Sequence, residues 1–234
     1  MKIKNIKHKI KELGITEEEI ILGDFDVIGE YTAKKNRDPN STLYKTSGCF
    51  FRPNYERGIL IYSLIKKYNI ESFLEVGFGR GYSTFSACYA FDKLGIKGKI
   101  KTVDVNFNKK YIQSLFDNNI FPREWLERIE FVEGDSKKIL PKVSQKYDLV
   151  LIDGDHSKEG VEIDWSNLKE KFNKVLIFDD YHIPPKEDEG IQVTKVVDNI
   201  KDYHKEAIIM DRQIFTEDRK NYEVLDAQVI ITHE

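Results

Sequence analysis

The sequence predicts an α/β fold: a doubly wound, mostly parallel seven-stranded sheet with an antiparallel final strand and a small N-terminal extension. Two observations carry this. Short apolar runs at 72–76 (SFLEV), 99–104 (KIKTVD), 128–132 (RIEFV), 147–152 (YDLVLI) and 174–178 (KVLIF) read as strands, with helix-capable stretches near 81–93, 108–119, 136–145 and 160–171 between them. Continuous runs such as VLI suit strands covered on both faces, and the alternation of element types argues for parallel pairing. After a helix near 190–203, the stretches 206–211 (EAIIMD) and 225–232 (LDAQVIIT) read as two more strands. The charged segment between them is too short for a crossover helix, so they are expected to close the sheet as an antiparallel pair.

In chain order, the first residues, MKIKNIKHKIK, form a basic run whose apolar positions 3, 6 and 10 predict a solvated amphipathic helix. Residues 31–49 are polar and turn-rich, which suits a surface loop or a segment that closes over a substrate. From Tyr55, the stretch RGILIYSLIKKY predicts a helix with Ile59, Ile61, Leu64 and Ile65 on its apolar face. The expected division is therefore 1–53 as an N-terminal extension and candidate substrate lid, and 54–234 as one catalytic domain.

Thirty-seven Lys plus Arg against forty Asp plus Glu give a formal charge of −3, the wrong balance for a protein that coats nucleic acid. No apolar segment is long enough to cross a membrane, and the charged start lacks the apolar stretch of a signal peptide, so a cytoplasmic protein is expected. Cys49 and Cys88 sit in no metal-type cluster and support no disulfide framework.

The densest motif is LEVGFGRGYSTF at 74–85. Its glycines at 77, 79 and 81 leave a predicted strand and enter a predicted helix, the usual ligand position in an open α/β sheet. The spacing is G-x-G-x-G, because position 82 is Tyr, and so differs from the dinucleotide fingerprint. Glu75 just before the turn would repel a pyrophosphate but suit a cationic amine. Asp104 ends the second strand and could accept from ribose hydroxyls. GDS at 134–136 places Asp135 or Ser136 near an adenine edge.

These motifs resemble those of the class I S-adenosylmethionine-dependent methyltransferases. FLEVGFGRG looks like their first motif, TVDVN their second, EGDS their adenine-side motif, and YDLVLIDGD their fourth strand. The resemblance implies S-adenosylmethionine as cofactor, held by Glu75, Gly77, Phe78, Gly79, Gly81, Tyr82 and Ser83, by Asp104, by Asp135 and Ser136, and by Asp153.

IDGDH at 152–156 and IFDDYH at 177–182 end the predicted fourth and fifth strands. If those strands are neighbours, Asp153, Asp179 and Asp180 converge, and three unpaired carboxylates would repel. Mg²⁺ or another hard divalent cation removes that penalty, and pairing with Arg or Lys is the alternative. His156 follows Asp153 by three residues and is the expected general base, with Asp155 its rival. His182 suits a place beside Asp179 and Asp180 or on the surface. The pattern resembles the metal-dependent small-molecule O-methyltransferases of the macrolide-sugar type. That implies metal ligands Asp153, Asp179 and Asp180, and methyl transfer to a hydroxyl of a small molecule such as a sugar or polyol. A homodimer is reasonable; a nucleic-acid or membrane partner is not expected. A fold-sharing hydroxylase-like enzyme and a non-catalytic sugar- or protein-binding module are the alternatives.

Overall fold

The computed structural model describes residues 1–16, 28, 55–183, 191–210 and 225–233. Over these, strand β1 (Lys2–Asn5) and helix α1 (Ile6–Glu12) precede α2 (Tyr55–Tyr68). An alternating series follows: β2 (Ser72–Val76), α3 (Tyr82–Lys93), β3 (Lys99–Asp104), α4 (Lys109–Asp117), α5 (Arg123–Arg128), β4 (Ile129–Glu133), α6 (Ser136–Ile139), β5 (Tyr147–Ile152), α7 (Lys158–Leu168) and β6 (Phe172–Ile183). The chain closes with α8 (Val193–Asn199), β7 (His204–Ile209) and β8 (Leu225–Thr232).

The strands form one sheet in the order β1-β7-β8-β6-β5-β2-β3-β4. Strand β8 runs antiparallel to both β6 and β7, and every other pairing is parallel. The doubly wound architecture and the antiparallel final strand are as the sequence predicts. The strand count is not: the described residues hold eight strands, the additional one at the N-terminus. Residues 2–5 were expected to start a helix, but Asn5 caps α1 by accepting the Lys7 N–H at 2.9 Å, so the helix begins only at Ile6. Ile3 therefore points to solvent on an edge strand, while Ile6 enters the core. Lys4 and Lys9 both pair with Glu206 on β7, which fastens this edge to the sheet.

Two apolar clusters cover the two sheet faces. Phe73, Leu149, Leu151, Val175 and Ile177 pack with α2 and α3, whereas Leu74, Val76, Val150, Ile152 and Leu176 pack with residues of α7 and α8. Alternate residues of each strand thus serve opposite faces, and this is why the strands read as continuous apolar runs. Helix α2 buries Leu60 and Tyr62 as well as its expected face. Pro141 lies in a short 3₁₀ turn, Leu140–Lys142, that cuts the helix expected over 136–145 to one turn. Helix α5 was not anticipated; it occupies the approach to β4.

Strand β6 runs past the predicted end at Phe178. Opposite β8 its register shifts between Phe178 and Tyr181, and Asp180 takes a positive φ of 53°. The irregularity has the form of a β-bulge and falls on the paired aspartates. The polar loop 31–49, Cys49 and most of the candidate lid lie outside the described residues, as do 184–190 after β6.

Candidate active site

The C-terminal ends of β2, β3, β4 and β5 surround a cavity of about 600 Å³. Its walls are Val76, Gly77 and Gly79 from the first turn, Val103, Asp104 and Val105 from the second, Gly134 to Lys137 from the third, and Asp153 to His156 from the fourth. Parallel strands bring four turns to one edge, and the topological switch between β2 and β5 opens a crevice there.

The glycines do different work. A Cβ at Gly77 would overlap the backbone carbonyl of Asp153, so its φ of 91° and lack of side chain let the turns after β2 and β5 close together. A Cβ at Gly81 would meet the rings of Phe78 and Phe85, whereas one at Gly79 would meet nothing within 4 Å. Phe78 faces inward, where it packs on Phe85, Phe107 and Phe131.

Asp104 fixes the turn from the neighbouring strand. One carboxylate oxygen accepts the Phe78 N–H at 2.8 Å and the Gly79 N–H at 3.0 Å; the other accepts the Asn106 N–H at 3.1 Å. A carboxylate offers about four acceptor positions, so one remains for a ligand hydroxyl. Asp135 caps α6 by accepting the Lys137 N–H at 3.0 Å. Glu75 lies beneath the turn, 1% exposed, and accepts from the hydroxyls of Thr84 and, at 2.9 Å, Thr102. Burial pushes its carboxyl up to about 8, with the two hydroxyls opposing, so it is chiefly neutral at pH 7.

At the other end of the cavity, β5 and β6 are adjacent and their acids meet. His156 lies between two of them, with Nε2 3.4 Å from Asp153 and Nδ1 3.2 Å from Asp180. Its hydrogen bond to Asp153 and the charge of Asp180 outweigh burial and lift its pKa to about 9, which makes it an imidazolium at pH 7. Asp179 turns the other way. Its Oδ2 is 2.7 Å from Nη1 of Arg57 on α2, and its Oδ1 accepts the Asp180 N–H at 2.8 Å. Arg57 also reaches Asp180 at 3.5 Å. Asp155 accepts the Ser157 N–H at 2.9 Å, which holds its carboxyl below the usual range.

Residues 74–181 match a family model described as a methyltransferase domain. The fold is that of the class I methyltransferases. The chain is similar to the O-methyltransferase TomG of Streptomyces achromogenes, involved in tomaymycin synthesis and solved with S-adenosylmethionine. The two are 14% identical over 91% of this chain and 98% of that one, with a TM-score of 0.57. An O-methyltransferase of Bacillus cereus, in complex with S-adenosylhomocysteine, is 12% identical over 91% of this chain and all (100%) of that one, also with a TM-score of 0.57. A methyltransferase of Podospora anserina bound to S-adenosylhomocysteine is 14% identical over 89% and 88% of the two chains, with a TM-score of 0.56. No curated protein matches the chain by sequence.

Of the residues that the sequence singles out, the cavity gathers Gly77, Gly79, Asp104, Asp135, Ser136, Asp153 and His156. Glu75, Phe78, Gly81, Tyr82 and Ser83 are not in its wall. Asp153 and Asp180 converge with His156, but Asp179 does not join them. His182 pairs with Asp226 on β8 at 3.1 Å instead of the Asp179–Asp180 pair. The residue that sequence reasoning missed is Arg57. Its one signal was a lone cation in the first turn of an apolar helix. Val105 was also missed; it is 71% exposed at the cavity rim, directly after Asp104.

Proposed function

We propose that the protein is an S-adenosylmethionine-dependent O-methyltransferase acting on a hydroxyl of a small molecule, with a sugar or polyol-like natural product as the acceptor class. One observation carries the reading: a single cavity joins the glycine turn and Asp104 to Asp153 and His156. A nucleoside site and a proton-handling site therefore share one space.

The residues fit the cofactor. Gly79 leaves open space at the turn, Asp104 keeps one acceptor position, and Val105 offers an apolar surface beside it. When bound, S-adenosylmethionine supplies a methyl group activated by a positively charged sulfur. Glu75, buried beneath the turn, lies outside the cavity wall, whereas Asp104 and Asp153 are in it. The residues also fit a divalent cation: Asp153, His156 and Asp180 each offer a ligand atom, all within 4.8 Å of one another. Such a cation would supply a lowered acceptor pKa. The protein's own part is to orient the acceptor oxygen in line with the methyl carbon and to take its proton into the Asp153–His156–Asp180 cluster. Against Asp153 and Asp180 His156 is an imidazolium, so it can accept the acceptor's proton only where those carboxylates are drawn away from it.

Calorimetry with S-adenosylhomocysteine tests the cofactor, and mass spectrometry tests the acceptor by the gain of one methylene on candidate polyols, with divalent cation supplied or chelated. Binding of the homocysteine product and a methylene gain are expected. A preference for a nicotinamide dinucleotide, or no nucleoside binding at all, would sink the reading.

A further inference from the structure

We infer that the cation of this site is held by Asp153, His156 and Asp180, with Asp179 withdrawn from the ligand set by Arg57, and that the site selects a first-row transition cation over Mg²⁺. The inference rests on the methyl-transfer reading for the presence of a cation and departs from the sequence expectation of three carboxylate ligands.

Strand geometry is the physical cause. Successive residues of a strand leave on opposite faces, and the bulge, with a φ of 53° at Asp180, adds a local turn to that divergence. Asp179 goes inward and is 1% exposed. Its Oδ1 accepts the Asp180 N–H at 2.8 Å, and its Oδ2 is ion-paired with Nη1 of Arg57 at 2.7 Å without a hydrogen bond. Asp180 goes outward, toward Asp153 and His156. Their side chains are 23%, 26% and 29% exposed, so a cation can reach them from the cavity. Drawing Asp179 into the ligand set would break a buried ion pair and strand the guanidinium. His156 contacts the other two ligands through different ring nitrogens, Nε2 toward Asp153 and Nδ1 toward Asp180, so a cation bound at one nitrogen would take the place of one of these contacts.

Donor chemistry then sets the preference. Three carboxylates suit Mg²⁺, whereas one imidazole with two carboxylates favours Mn²⁺, Fe²⁺ or Zn²⁺ relative to it. Arg57 is a positioning residue in this scheme. It holds Asp179 at 2.7 Å but reaches Asp180 only at 3.5 Å, and this difference leaves Asp180 the freer of the two to bind.

The test uses the full-length protein, Mn²⁺ as probe, and electron paramagnetic resonance as readout. In wild-type protein grown with ¹⁵N-labelled histidine, bound Mn²⁺ is expected to show nitrogen hyperfine coupling, and excess Mg²⁺ should displace it poorly. His156→Ala should weaken Mn²⁺ binding by at least about tenfold, and Asp179→Asn by less than about threefold. Bound Mn²⁺ without nitrogen coupling, ready displacement by Mg²⁺, or a greater loss in Asp179→Asn than in His156→Ala would overturn the assignment. The wild-type spectrum decides the matter even if a variant fails to fold. Calorimetry with S-adenosylhomocysteine on the same sample separates the two readings. Cofactor binding without nitrogen coupling removes this ligand set alone, and absence of cofactor binding removes the transferase reading.

Discussion

The two ends of the cavity are built on different principles. At the glycine turn, the carboxyl groups are satisfied by uncharged donors, Asp104 by three backbone N–H groups and Glu75 by two hydroxyls. At the acidic end, Asp153, Asp179 and Asp180 face charged side chains, namely His156 and the distant Arg57, with one backbone N–H on Asp179. The first end is a problem of shape, and the second of charge. They should therefore fail in different ways.

The largest effect is expected from Arg57→Ala. Removing the guanidinium leaves Asp179 buried without its cation, a change that costs about 3–5 kcal/mol in comparable buried pairs. The urea midpoint of the variant should fall accordingly, and Arg57→Lys should recover part of the loss. An unchanged midpoint would show that the acidic end does not rely on this pair, and the contrast between the two ends would disappear.

Gly77→Ala should come next, at about 2–4 kcal/mol, because it combines a positive φ with direct overlap on the Asp153 carbonyl. Loss of binding to S-adenosylhomocysteine should accompany the drop in thermal midpoint, since the overlap pushes the turns after β2 and β5 apart. A folded variant with full affinity would mean that the two turns need not touch.

Glu75 sharpens the comparison through pH. Its carboxyl is raised to about 8 in the folded protein, chiefly by burial, against an ordinary value of 4.5. The folded state therefore holds the proton more tightly than the unfolded chain. Stability from this group is complete below the ordinary value and declines as pH rises toward the folded one. Glu75→Gln removes the titration. Relative to that variant, the wild type should lose on the order of 2–3 kcal/mol between about pH 5 and pH 7. Parallel stability curves for the two proteins would show that Glu75 is not held neutral.

The same contrast explains what the sequence disclosed. Continuous motifs revealed the order of strands and the turns that carry Gly77, Asp104, Asp135 and Asp153, because each lies beside the strand that positions it. Asn5 hid the first strand: a residue that caps a helix split a pattern that read as one amphipathic run. Asp179 and Asp180 look equivalent as neighbours in a sequence. Only the bulge and a cation more than a hundred residues earlier distinguish them, and neither leaves a periodic signal. Glu75 was similarly opaque, since its two hydroxyl partners come from α3 and β3.

Gly79→Ala is the smallest and most discriminating change at the glycine turn. Alanine tolerates its φ of 52° at a cost of about 1–2 kcal/mol, and a Cβ there meets nothing within 4 Å. Unlike Gly77, the position is therefore open in the protein alone, and any further penalty must come from what the cavity holds. A modest fall in thermal midpoint should accompany a loss of about tenfold or more in affinity for S-adenosylhomocysteine, equivalent to about 1.4 kcal/mol. Equal affinity in the variant would show that the space beside Gly79 is not where the ligand approaches the backbone, and the glycine would then be required for the turn alone.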